Sequence, residues 1–180
     1  MVLMVATKPF LAEKSVFVPA NDVSLTLSTP QKTYKAGETV TLSYRIANIG
    51  NAPLYVPREW EAKCPTRPHF DVWFENEAGE HFFTGYIVGN CIPATGPKAV
   101  INRMTKEAIL LRPGEHVDGT YPINTATFDF LKPGTYRFEA LLSCWQQDEF
   151  SAQDQAELAE MKWPFVRGDV PASIKVVLIK

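Results

Sequence analysis

Residues 131–144 read LKPGTYRFEALLSC and contain the clearest β-strand of the chain. After the Pro-Gly turn, large apolar side chains recur at every second position, which turns one face of the strand towards a core. That face carries Tyr136, Phe138, Ala140, Leu142 and Cys144, opposite Arg137, Glu139, Leu141 and Ser143. A long strand with one apolar face needs a second layer to cover it, so this stretch predicts a sheet within a layered β-structure.

Similar alternation appears in further short stretches on both sides of residues 131–144. They are residues 23–28, 40–46, 53–57, 70–74, 81–86, 109–111, 117–123 and 173–179. Asn76-Glu77-Ala78-Gly79-Glu80 is typical of a hairpin turn, and prolines in residues 53–57 favour a sheet edge. Seven or more short strands without βαβ alternation predict an all-β fold, an immunoglobulin-like antiparallel β-sandwich.

Particular residues predict two details of this sandwich. Tyr136 follows a Pro-Gly turn by two residues, where such domains place a tyrosine corner whose hydroxyl bonds back to the preceding turn. The inward members of the strongest alternations are expected to share one core. They are Leu42, Tyr44, Val72, Tyr136, Phe138, Leu142 and Val176.

Residues 151–163 depart from the β-pattern because they are rich in strong helix formers. Ser151 and Asp154 stand at capping-box spacing, and Pro164 ends the segment. We therefore expect a short helical insert before the last strand, with Trp163 as its anchor on the sandwich. The face expected to pack carries Ala152, Ala156, Ala159 and Trp163.

Composition bounds the domain organisation and the class of partner. The 180 residues, 46% hydrophobic and 21% charged, fit one domain with its own core: residues 1–20 as an N-terminal extension and residues 23–180 as the sandwich. The net charge is −2 and basic residues are scattered singly, which argues against a nucleic-acid partner. Residues 1–6, the longest apolar run near the start, are too short for a membrane span.

Three cysteines are too few and too widely spaced for a zinc site built from paired CxxC motifs. Cys64 and Cys91 lie in apparent loops beside the predicted hairpin and are the disulfide candidate, with their Cα atoms expected within about 7 Å. Cys144, within an apolar strand, is expected to be a buried thiol. Three reduced thiols in a cytoplasmic protein are the alternative.

Residues 1–6 also lack the basic start of a complete secretory signal, although a chain beginning just after a cleavage site would start in this way. We favour an extracytoplasmic location, periplasmic or secreted, and keep a cytoplasmic location as the alternative.

The order of turns and strands resembles the bacterial intracellular proteinase inhibitor (BsuPI-like) domain family. The matching segments are residues 34–38 with the strand ending at 47–50, residues 70–80, residues 111–115 and residues 131–136. The resemblance covers about residues 23–142 and implies an immunoglobulin-like sandwich. It also implies, more weakly, inhibition of a proteinase, while the cysteine-bearing loops and the helical insert depart from the family pattern.

Catalytic and metal-binding patterns are absent from the sequence. It contains no Ser-His-Asp spacing, Gly-rich phosphate loop or HExxH motif, so we predict no catalytic residue and no enzyme. His69, His81 and His116 are far apart and more typical of surface imidazoles than of a metal site, and no cofactor is expected. Arg167-Gly168-Asp169 resembles an integrin-binding tripeptide but is first of all a turn.

Five aromatic side chains are the candidate binding residues, because aromatic rings that a core does not need collect at interfaces. They are Trp60, Trp73, Tyr86, Trp145 and Trp163. Trp73 and Trp145 lie opposite the inward residues of their strands. They form either an exposed patch or, in the interpretation we prefer, a satellite core covered by a loop or the helix.

These features favour a non-catalytic binding or accessory module of bacterial type. It would contact an unidentified protein partner through loops at one end of the sandwich and through the helical insert. A proteinase inhibitor is the first alternative, with residues 89–106 as an extended reactive loop stiffened by Cys91, Pro93 and Pro97. A structural domain of a larger envelope or secreted assembly is the second.

Overall fold

The structure is a computed structural model that describes residues 15–58, 70–84, 99–128 and 131–180. Its strands, in chain order, are β1 (Phe17–Pro19), β2 (Val23–Ser28), β3 (Thr33–Lys35), β4 (Thr39–Asn48), β5 (Leu54–Pro57), β6 (Phe70–Asn76), β7 (His81–Phe83), β8 (Ala108–Leu111), β9 (His116–Asn124), β10 (Gly134–Ser143), β11 (Phe165–Arg167) and β12 (Asp169–Ile179). Its helices are α1 (Ala99–Glu107) and α2 (Ala152–Leu158).

Two sheets form the sandwich. One has the order β3-β12-β10-β6-β7, antiparallel throughout except where β3 runs parallel to β12, and the other has the antiparallel order β2-β4-β9. Phe138 in the central strand β10 is paired with Phe74 on one side and Ile174 on the other. The fold is an immunoglobulin-like antiparallel β-sandwich, as the sequence predicted.

The predicted core is confirmed. Leu42, Tyr44, Val72, Tyr136, Phe138, Leu142 and Val176 are all buried in one cluster between the sheets. The rings of Phe74 and Phe138 stack with centroids 5.1 Å apart at its centre. The predicted tyrosine corner is also present, because the Tyr136 hydroxyl donates a 2.9 Å hydrogen bond to the carbonyl of Lys132.

The predicted hairpin joins β6 to β7. The side-chain oxygen of Asn76 accepts hydrogen bonds from the backbone N–H groups of Ala78 and Glu80, each 3.0 Å long. Gly79 adopts φ = 79°, a left-handed conformation that glycine enters at little cost. These contacts close the turn.

A third sheet, of order β1-β11-β5-β8, was not expected from the sequence. It corrects two predictions: residues 17–19 of the supposed extension form β1, and β5 lies between two strands rather than at an edge. Pro57 is tolerated there because it is the last residue of β5, and Pro53 precedes the strand. These strands are three or four residues long, too short to show a period in the sequence.

One face of this third sheet extends the main core, through Leu54, Val56 and Val166. The other face builds a second core with both helices, which comprises Phe17, Val100, Met104, Ala108, Trp145, Phe150, Leu158 and Phe165. The third sheet therefore separates two apolar layers. Most residues of its strands are buried or half-buried on both faces, which explains why the strands show no polar side.

Helix α1 corrects the expectation of an extended loop at residues 89–106. Residues 99–106 are helical, and Val100 and Met104, one turn apart, are buried in the second core. The Arg103 guanidinium lies 5.4 Å from the centroid of the Phe150 ring. Residues 89–98 lie outside the described part of the chain.

Helix α2 is shorter than predicted and buries a different face. Its capping box is confirmed, since the Ser151 hydroxyl accepts a 3.1 Å hydrogen bond from the N–H of Asp154. Leu158 is buried in the second core, whereas the predicted packing residues Ala152, Ala156 and Ala159 are exposed. A leucine reaches farther and buries more apolar area than an alanine, so the helix orients by Leu158.

Candidate binding face

The outward face of the five-stranded sheet carries the candidate binding surface. On β6 and β10 the buried residues alternate with less buried ones, so these alternate residues, Trp73 among them, form rows across the outer face. The register places Trp73, Glu139 and Ser173 in one row, and Glu75, Arg137 and Lys175 in the next. We call these six residues the Trp73 face.

Ion pairs fix the charged side chains of the Trp73 face. The Arg137 guanidinium bonds to the carboxylates of Glu75 and Glu139, with N–O distances of 2.7 Å in both pairs. The hydrogen bond to Glu75 and the charge of Glu139 raise the pKa of Arg137 above its ordinary value, so the guanidinium stays charged. Glu75 and Glu139 are each 21% exposed and Arg137 is 50% exposed, which leaves polar atoms on the surface for a partner.

Trp73 is partly buried on this outer face and shares a row with Glu139. Beside it, Glu75, Arg137 and Lys175 line a shallow depression of about 240 Å³. The arrangement combines an aromatic ring with charges held in fixed positions. Such a surface suits a flat protein contact better than a deep small-molecule cleft.

The other predicted aromatic residues do not join Trp73 in one patch. Trp145 is 2% exposed and packs edge-on against Phe165 at 5.3 Å, so it belongs to the second core, as the satellite-core interpretation predicted. Trp163 is partly buried after α2, with the Lys162 ammonium 4.8 Å from the ring centroid. Trp60 and Tyr86 lie outside the described residues.

The cysteine prediction is tested for one residue. Cys144 is buried in the main core, as expected of an inward strand residue. Cys64 and Cys91 lie outside the described residues, so their pairing stays a prediction.

The described residues, 15–58, 70–84, 99–128 and 131–180, carry neither a metal-ligand cluster nor a membrane-spanning helix. There, no three His, Cys, Asp or Glu side chains converge to hold a metal ion. His81 lies on β7 and His116 on β9, which belong to different sheets, while His69 lies outside the description. No helix in the described part of the chain is long and apolar enough to cross a bilayer.

Arg167-Gly168-Asp169 forms the junction at which the chain passes from the third sheet to the five-stranded sheet. Gly168 adopts φ = 97°, and its carbonyl accepts a 2.8 Å hydrogen bond from the N–H of Cys144. The tripeptide is thus a turn held by the neighbouring backbone, as the sequence indicated.

Sequence reasoning missed one polar group, the pair of Arg45 on β4 and Asp118 on β9. Two hydrogen bonds of 2.7 and 2.9 Å join the guanidinium to the carboxylate on the outer face of the three-stranded sheet. The available signal was a charge of opposite sign at an outward position of each strand. The pairing required the strand register, which the sequence did not supply.

No protein family model matches the chain, and no curated protein matches it in sequence. Among solved structures, a β-glucosidase from Listeria innocua in complex with glucose is similar, with 12% identity and a TM-score of 0.43. The match covers 88% of this chain, and the chain spans 16% of that enzyme's length.

Two further similar structures were found. The CARDB domain of PF1109 from Pyrococcus furiosus matches with 12% identity and a TM-score of 0.38, covering 88% of this chain and 94% of that domain. The sporulation control protein Spo0M from Bacillus subtilis matches with 10% identity and a TM-score of 0.43, covering 88% and 50%. At these identities the likeness concerns the fold alone.

Proposed function

We propose that this chain is a non-catalytic binding module whose contact surface is the Trp73 face. The supporting observation is the position of Trp73, partly buried on an outward sheet face beside Glu139. Trp and Arg are the residues that most often dominate the energetics of protein interfaces. The partner in this proposal is a folded protein with a flat complementary surface.

The ion pairs of Arg137 support this function energetically. Association normally costs the rotamer freedom of the long side chains that become ordered at the interface. Arg137 is already held by Glu75 and Glu139, so less freedom remains to be lost when a partner binds. Both carboxylates and the guanidinium keep unused hydrogen-bonding atoms that set the register of the partner.

The experiment uses a photo-crosslinking amino acid at two exposed positions, 173 and 156, and at position 41, which is partly exposed. Ser173 lies in the Trp73 row, Thr41 lies outward on β4 in the opposite sheet, and Ala156 lies on α2. We expect crosslinking of a discrete protein from position 173 and none from position 41. Crosslinking from position 156 alone would instead support contact through the helical insert and overturn the Trp73 face.

The crosslinked protein is then purified and its affinity for the parent chain is measured. Trp73→Ala should weaken binding by at least about 2 kcal/mol, or roughly thirty-fold, as expected for a Trp at the centre of an interface. Trp163→Ala serves as the matched control and should leave the affinity unchanged. Equal affinities of the parent and Trp73→Ala would contradict the proposal.

Inhibition of a proteinase is the second function that we propose. Its basis is the resemblance of residues 23–142 to the BsuPI-like family. The helical conformation of residues 99–106 restricts it, because an inhibitory loop must extend within a protease cleft and Val100 and Met104 are buried. Stoichiometric inhibition in a panel of serine proteases would favour this function over the first. A structural role in a larger assembly predicts no inhibition.

A further inference from the structure

A shallow, hydroxyl-lined depression lies on the outer face of the three-stranded sheet, on the side of the sandwich away from the Trp73 face. It has a volume of about 620 Å³, and its lining includes the outward side chains of Thr26, Ser28, Ser43, Arg45, Asp118 and Thr120. We call it the Arg45 depression. Its size falls within the range of about 300–1,000 Å³ that is usual for small-molecule sites.

The strand register builds the Arg45 depression from two adjacent rows. Thr26, Arg45 and Asp118 are paired across β2, β4 and β9, and the next row holds Ser28, Ser43 and Thr120. The second row has short side chains, whereas the guanidinium and carboxylate of the first row extend farther. The floor is therefore lower beside the charged pair, which gives the flat sheet a concave region.

Arg45 and Asp118 are fixed before any ligand arrives. Two hydrogen bonds join them, yet each side chain remains 53% exposed. A guanidinium has five N–H groups, and two of them are used here, so about three remain to donate. The carboxylate likewise retains lone pairs that can accept.

The charges of the depression select the class of ligand. The charge of Arg45 is balanced by Asp118, which stays ionised because the hydrogen bonds from Arg45 lower its pKa. His116 lies beside this pair, with its Nε2 3.6 Å from Asp118 Oδ2. An anion would meet the Asp118 carboxylate, and an amino acid zwitterion would have to separate the existing pair to use both charges.

A neutral polyhydroxylated molecule avoids both costs. Each of its hydroxyl groups donates and accepts, which matches a surface of four hydroxyl side chains beside a fixed donor and acceptor pair. We infer that the Arg45 depression binds a neutral saccharide, with Arg45 donating to and Asp118 accepting from neighbouring sugar hydroxyls. The affinity is modest, because the outward side chains of both rows include no aromatic ring to stack on the sugar, and Tyr44, which also lines the depression, is buried.

The test is a titration of the ¹⁵N-labelled full chain followed by amide chemical shifts. The probes are glucose, galactose, mannose, maltose and cellobiose, with inorganic phosphate and glycine as the charged comparisons. We expect saturable shifts with at least one saccharide, confined to amides of β2, β4 and β9. No saturable shift with any saccharide, shifts on other strands, or tighter binding of phosphate or glycine would overturn the inference.

Variants separate the site from a general change in the fold. Arg45→Met should weaken saccharide binding by at least about ten-fold. Arg112→Met, which breaks the exposed Arg112–Glu115 ion pair in the turn before β9, should leave that affinity unchanged. Should Arg45→Met fail to fold, Ser43→Leu fills the floor while keeping the Arg45–Asp118 pair, and saccharide binding that survives Ser43→Leu contradicts the inference.

Discussion

The ring of Tyr44 on β4 covers Gly119, its cross-strand partner on β9, and the Tyr44 hydroxyl occupies the space that a Cβ atom at position 119 would need. Tyr44 is buried, and its ring lies 4.8 Å from the ring of Phe70 in the opposite sheet. Gly119 therefore allows a large inward side chain to lie flat against the backbone of the neighbouring strand. The contact between the rings of Tyr44 and Phe70 joins the two sheets.

We expect Gly119→Ala to lower the free energy of unfolding by about 1–3 kcal/mol, the usual cost of adding a methyl group to a filled space. Urea denaturation measures the change. The matched control is Gly134→Ala, because the nearest atom to a Cβ there is Tyr136 Cε2 at 4.0 Å. The control should stay within about 0.5 kcal/mol of the parent, and equal losses in both variants would show that Tyr44 does not cause the effect.

Two buried tyrosines provide a paired test of the tyrosine corner. Tyr136→Phe removes the hydrogen bond to the Lys132 carbonyl and should cost about 0.5–1.5 kcal/mol in chemical denaturation. The Tyr34 hydroxyl is buried and finds no hydrogen-bond partner among the described residues. Tyr34→Phe should therefore be neutral or stabilising. A larger loss for Tyr34→Phe than for Tyr136→Phe would reject this assignment.

Leu158, rather than Trp163, should anchor α2. Leu158→Ala removes a side chain that is 1% exposed in the second core and should cost about 2–5 kcal/mol. Hydrogen exchange should show the amides of α2 opening before those of β10 in this variant. Trp163→Ala should leave the amides of α2 nearly as protected as in the parent, and early opening there would restore Trp163 as the anchor.

Glu107 at the end of α1 should make stability depend on pH. Burial raises the pKa of its carboxyl group above the ordinary value, and the charge of Arg103 lowers it by less. The folded chain thus holds this proton more tightly than the unfolded chain. The stability that this proton adds is fully present below about pH 4.3, the pKa of Glu in the unfolded chain. It is lost as the pH rises through the higher pKa of Glu107 in the folded chain.

Glutamine does not titrate, so Glu107→Gln does not lose this stability as the pH rises. The free energy of unfolding of the variant minus that of the parent should therefore be larger at about pH 7 than at about pH 3.5. Glu115→Gln provides a control of opposite sign. Hydrogen bonds from Arg112 lower the pKa of Glu115, so its stabilising effect is present at high pH and is lost on acidification. Changes of the same sign in the two variants, measured by urea denaturation at both pH values, would contradict the assignments.

Much of the sandwich could be predicted from the sequence because its strands are long. The alternation in β4 and β10 extends over ten residues each, so the inward face is specified by several side chains at once. The Pro-Gly turn before Tyr136 could also be predicted, because it depends on adjacent residues. The helix cap at Ser151 was predictable because capping depends on residues three apart in the chain.

The candidate surfaces could not be predicted in the same way. Trp73 was identified as an outward aromatic, but its neighbours Glu139 and Ser173 come from strands far away in sequence. The strands of the third sheet are short, and their apolar residues are shared between two cores. A period of two or of 3.6 has no room to develop in three or four residues.

The fold class, the inward faces of the long strands, the tyrosine corner and the start of α2 all follow from the residue order. Each depends on side-chain periodicity or on turn and cap chemistry within a few residues. Beyond the β6–β7 hairpin, the choice of neighbouring strands depended on the tertiary structure. That choice pairs Arg45 with Asp118 and Arg137 with Glu75, and it sets Tyr44 over Gly119. The physical reason is that strand pairing and register are set by how both faces of each strand are covered, which is a property of the whole packed chain.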